Sequence, residues 1–132
     1  MSRAALRVMA GEYLAIARPA NRQLDRANDG YSDAEHHSLA EAAADLRAEV
    51  ATERRFDRQL LRLRFPAVFG LAARMLVRAN DSRIELTTRQ AAATSLAGLR
   101  ALDHRHKAAD GAVEAQVRQM RNVLGLPPPE TS

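Results

Sequence analysis

Few groups in this chain could do chemistry. With no cysteine among its 132 residues, thiolate catalysis, Cys-type zinc sites, disulfides and thiol lipid anchors are excluded. Four histidines remain to be considered beside the carboxylates and a single lysine, Lys107. Asp33-x-x-His36 and Asp103-x-x-His106 each put a carboxylate and an imidazole on one helical face, a spacing from which di-metal bundle sites are built. No glycine-rich loop precedes Lys107, so there is no phosphate-binding P-loop, and G-x-S-x-G and H-E-x-x-H are missing. A nucleophile would have to be a serine, threonine or carboxylate without a local motif. The expectation is a protein that is not an enzyme and carries no cofactor.

Those residues would be positioned by helices. Proline occurs only at Pro19, Pro66 and Pro127-Pro128-Pro129, which leaves long stretches free of the strongest helix breaker. Leu6, Ala10, Tyr13, Ala17 and Leu24 recur at three- and four-residue steps and predict helix 1 over 3–28, kinked at Pro19 and stopped by Asp29-Gly30. Ser32-Asp33-Ala34-Glu35 has the pattern of a capping box and predicts helix 2 over 33–64, with Leu39, Ala43, Leu46, Val50, Phe56, Leu60 and Leu63 inward. Pro66 opens helix 3, over 66–93. Two readings stay open there, because Ser82 with Glu85 forms a second possible capping box that would break the helix at Asn80-Asp81-Ser82. Thr94 or Ser95 caps helix 4, over 95–124, and Gly125 ends it before a stiff tail at 127–132. Four helices with short connections predict an all-α, antiparallel up-down-up-down four-helix bundle in a single domain, 1–126.

Level within that bundle decides the metal question. His36 falls near the helix 1–2 loop and His106 about ten residues lower, or roughly 15 Å of axial rise. They cannot share a metal, and no metal site is expected. His106 also lies on the apolar stripe of helix 4, where a lone histidine is usually a hydrogen-bonded core residue. Asn21 of helix 1 and Ser82 or Arg83 of helix 3 fall near its height, so Asn21, Ser82, Arg83 and His106 form the expected buried polar layer that sets helix register.

Charge gives the stronger functional lead. The net charge is +4, from 20 cations of which all but Lys107 are arginine. Folding the helices brings the N-terminus, the Phe65-Pro66 corner and the end of helix 4 to one end, here called the proline-corner end. It carries Arg3, Arg7, Arg54, Arg55, Arg58, Arg62, Arg64, Arg74, Arg78, Arg118 and Arg121 against Glu12, Glu53, Asp57 and Glu114, a local charge of +7. The body of the bundle is slightly acidic. Such an end could bind nucleic acid, anionic lipid or an acidic protein. The opposing expectation pairs these arginines with Glu53 and Asp57 at helical spacing and lays some of their stems over Phe56, Phe65 and Phe69. Aromatic residues make up only 4% of the chain, so stacking platforms for single-stranded nucleic acid are scarce.

The segments 12–25 (Glu-Tyr-Leu-Ala-Ile-Ala-Arg-Pro-Ala-Asn-Arg-Gln-Leu-Asp) and 117–129 (Val-Arg-Gln-Met-Arg-Asn-Val-Leu-Gly-Leu-Pro-Pro-Pro) resemble small alanine-rich helical domains of uncharacterised proteins from GC-rich bacteria, many of them secreted or lipoprotein-like. The resemblance implies a four-helix bundle and no activity. This chain lacks the export signal and anchoring cysteine of those proteins. It reads as cytoplasmic as written, or as a cell-envelope or secreted protein if its start lies upstream. No apolar run approaches the roughly 18 residues of a membrane span. Three functions are therefore expected in order: protein–protein contact, with a homodimer as one form; anion binding by the arginine-rich end; and carriage of a small ligand or metal by the polar middle.

Overall fold

A computed structural model describes residues 1–34 and 38–129, with the backbone alone at 33 and 34. The described residues form an all-α four-helix bundle: α1 (Arg3–Ala34), α2 (Leu39–Arg62), α3 (Ala67–Ala91), a short α4 (Leu96–Arg100) and α5 (Asp103–Val123). The close-packed pairs are α1–α2, α2–α3 and α3–α5. Near the proline-corner end the four long helices share one core, in which Tyr13, Leu60, Leu76, Met120 and Leu124 are buried. Burying each of these side chains stabilises the fold by about 2 kcal/mol. The T-shaped pair of Tyr13 and Phe56, with ring centroids 6.5 Å apart, fastens α1 to α2. A smaller cluster of Ala42, Leu46 and Leu99 closes the other end.

Several element boundaries differ from the sequence expectation, each for a local reason. Helix 1 does not stop at Asp29-Gly30 but continues to Ala34, and Pro19 lies inside it. Gly30 serves close packing instead of termination: a Cβ there would lie 2.9 Å from the Asp45 carboxylate. Helix 2 does not begin at Asp33. Ser32 Oγ donates to the Asn28 carbonyl at 3.1 Å, bonding back along α1, so the proposed capping box does not form; its Glu35 lies outside the described residues. The working cap is Ser38, whose Oγ accepts from Glu41 N at 3.2 Å. Ser38-x-x-Glu41 has the same spacing as Ser32-x-x-Glu35, so two equivalent signals compete six residues apart.

Of the two readings of helix 3, the unbroken one is correct, since α3 runs through Asn80-Asp81-Ser82. Helix 4 is instead split. Gln90 Nε2 donates to the Leu99 carbonyl at 3.1 Å and to Asp103 Oδ1 at 2.8 Å. Together with Leu102 N, 3.2 Å away, it takes the carbonyl that the Asp103 amide would bond in a continuous helix. Ser95 caps α4 through Gly98 N at 2.9 Å. At the far end Gly125, at φ 71°, closes α5, with Gly125 N bonding the Asn122 carbonyl and Leu126 N the Arg121 carbonyl, the paired bonds of a Schellman cap.

Candidate functional site

Two features stand out, a polar cluster inside the bundle and the arginine-rich end. The cluster is larger than the expected layer and differently composed. Arg83 and His106 belong to it. Asn21 and Ser82 do not: both are exposed. Asn21 follows Ala20, which is buried with Ala17 and Ala27 along the inward stripe of α1, and one residue further turns the side chain about 100° away. Ser82 lies midway between the buried Asn80 and Ile84, and so on the opposite face of α3.

What the sequence reading missed is a ladder of carboxylates. Glu49, Glu53 and Asp57 repeat every four residues on α2 and are all buried. They face Asn80, Arg83 and Thr87 of α3, and His106 and Asp110 of α5. Asn80 Nδ2 donates to Asp57 Oδ1 at 2.8 Å and to the Glu53 carbonyl at 3.2 Å, while its Oδ1 accepts from Arg83 Nη2 at 2.9 Å. Arg83 then reaches Glu53 Oε1, with Nε 3.1 Å away, and Asp110 Oδ1, with Nη1 3.3 Å away. The Nε–H is not aligned for a hydrogen bond, and Glu53 Oε2 has no partner among the described residues. The four-residue repeat was a readable signal. The chain masks it by setting Glu53 and Asp57 beside Arg54, Arg55 and Arg58, a pattern that equally predicts surface pairing.

Burial governs how these groups ionise. It pushes Glu49 up to about 7, with repulsion from Glu53 adding to it and His106 and Arg83 opposing. Burial likewise outweighs the attraction of Arg83 and holds Glu53 at about 7. Asp57 is raised well above the carboxylate range by burial and by a hydrogen bond shared with Asp81. For His106 burial works against the charged ring, but the hydrogen bond and charge of Asp110, with Glu49, outweigh it and leave the pKa raised. Partial burial also works against the charged form of Asp110, yet His106 and Arg83 hold its pKa below the usual value.

Among the described residues no group of three or more His, Asp or Glu side chains is arranged to hold a metal ion; His36 lies outside them. Two cavities of about 450 and 500 Å³ lie in the groove between α2 and α3, sharing Arg54 and Thr88. Neither is lined by Glu49, Glu53 or Asp57.

The inward turn of the carboxylates changes the proline-corner end. The expected pairing of its arginines with Glu53 and Asp57 is not observed. Among the described residues none of the eleven arginines lies within ion-pair distance of a carboxylate. Ten are exposed. Arg121 is half-buried and donates to the Pro127 carbonyl at 2.6 Å, holding the start of the tail against α5. Of the four acids assigned to this end, only Glu12 and Glu114 reach the surface.

Comparison with protein-family models, curated proteins and solved structures gave no match. Function is then to be read from the chain's own geometry. No described helix is long and apolar enough to cross a membrane.

Proposed function

We propose that this protein is a non-enzymatic helical bundle that works by contact, with the proline-corner end binding an extended anionic partner. The observation that supports this reading is the imbalance at that end, where among the described residues eleven arginines, ten of them exposed, stand with two exposed carboxylates, Glu12 and Glu114. Surface arginines not paired with carboxylates set up an attractive field for phosphate or sulfate groups, and several acting together bind with strong salt dependence. The interior cluster supports the same reading from the other side. Its acids are turned toward Asn80 and Arg83 and cannot neutralise the surface, and they line neither cavity, which weighs against a ligand or metal carrier.

Retention on heparin, a polyanion, tests the proposal. The protein is expected to bind at about 50 mM salt and to elute as salt rises, with log affinity falling linearly in log salt concentration. Replacing Arg58, Arg62 and Arg74 together with glutamine should shift elution to clearly lower salt while leaving the melting temperature unchanged. Passage through the column unretained at about 50 mM salt would refute the reading.

A further inference from the structure

The arginine-rich end is also where the exposed apolar side chains gather. Six large hydrophobic residues are exposed among the described residues: Met1, Val8, Leu61, Val68, Leu71 and Met75. Met1 lies just before α1, Val8 in its first turns, Leu61 in the last turn of α2, and Val68, Leu71 and Met75 in the first turns of α3. Among the described residues the opposite end of the bundle has none. On α3, Val68, Leu71, Met75 and Arg78 recur at three- and four-residue steps, away from the buried Ala72, Ala73 and Leu76. Leu61 faces solvent just across the Pro66 corner, at 53% exposure, with Val68 at 64% and Leu71 at 53%.

Resting on the polyanion reading above, we propose that this corner docks on the surface of an anionic phospholipid bilayer. Two observations select that occupant. Arg58, Arg62, Arg64, Arg74 and Arg78 stand among the aliphatics, and this mixture suits an interface in which phosphates lie above hydrocarbon. Nucleic acid would engage the arginines but give exposed aliphatics no apolar phase, and the aromatic rings that could stack on bases, Phe56, Phe65 and Phe69, are packed against the core. A second copy docked through the same face would set arginine against arginine across the contact. A bilayer carrying negative headgroups satisfies both parts of the patch at once. The aliphatics enter to the acyl boundary while the arginines bond the phosphates, and the helices lie outside the hydrocarbon.

Co-sedimentation of the full chain with vesicles tests this. Vesicles of phosphatidylcholine with about 30% phosphatidylglycerol are expected to bind the protein at 50 mM salt. Pure phosphatidylcholine vesicles are expected not to. The double variant Leu61→Ser/Leu71→Ser should melt as the parent does and keep its heparin retention, yet lose at least tenfold in affinity for the anionic vesicles. Retention on heparin without binding to anionic vesicles would overturn the bilayer proposal and leave the polyanion reading standing. Undiminished vesicle binding by the double variant would overturn the role of the aliphatics. A dimer in sedimentation equilibrium that the double variant disperses would assign the patch to a second copy. Loss of heparin retention in the parent protein would remove the polyanion reading itself.

Discussion

His106 Nδ1 lies 3.3 Å from Asp110 Oδ2, one turn further along α5. The other ring nitrogen, Nε2, is 2.9 Å from Thr87 Oγ1. Thr87 has one hydroxyl proton, which it donates to the Arg83 carbonyl at 2.9 Å, so its oxygen acts as acceptor toward Nε2. Both ring nitrogens therefore face acceptors, and the arrangement fits the doubly protonated imidazolium. NMR titration should place the His106 pKa above the ordinary 6.5. Asp110→Asn should lower it, because the charge that outweighs burial is removed.

The direction of the interior pKa shifts predicts how stability depends on pH. Glu49, Glu53 and Asp57 are raised in the folded state, so between about pH 4.5 and 8 the native protein binds more protons than the unfolded chain, and stability falls as pH rises. His106 acts in the same direction: its contribution is full below its unfolded pKa and is lost as pH rises through the higher folded value. The lowered pKa of Asp110 contributes above about pH 4 and is lost only in stronger acid. The melting temperature should be highest near pH 5 and lower by at least about 5 °C at pH 8.5. Asp57→Asn keeps an acceptor for Asn80 and a donor toward Asp81 while carrying no charge, and should flatten that decline.

Asn80 is the single side chain whose loss should cost most in the polar interior. Asn80→Ala removes the bonds to Asp57, Glu53 and Arg83 together, leaving buried partners unsatisfied. A loss of about 3 kcal/mol is expected, read as a lower urea midpoint at unchanged slope. Asn80→Asp should be comparably damaging, since it adds a further carboxylate beside Asp57.

Arg64 takes the left-handed conformation at φ 51° just after α2, the only described non-glycine residue with positive φ. That geometry costs an L-residue about 1 kcal/mol, which glycine avoids. Arg64→Gly should raise stability by up to about 1 kcal/mol in chemical denaturation and, by removing one exposed cation, elute slightly earlier from heparin.

Local sequence determined the bundle. Apolar steps of three and four residues placed Ala10, Tyr13, Leu46, Leu60, Leu76 and Met120 on inward stripes, and Ser95, Pro66 and Gly125 marked helix ends through bonds made within a turn. Tertiary structure decided the remainder, because those features depend on partners distant in the chain. Asp45 packs against Gly30 where α1 had been expected to stop. Gln90 takes the Leu99 carbonyl and splits the last helix, and Asn80 and Arg83 receive the carboxylates that the chain places beside surface arginines. Periodicity reports which residues share a face. It does not report what packs opposite, and for an acid that packing decides both the burial that governs its ionisation and whether it can neutralise the surface.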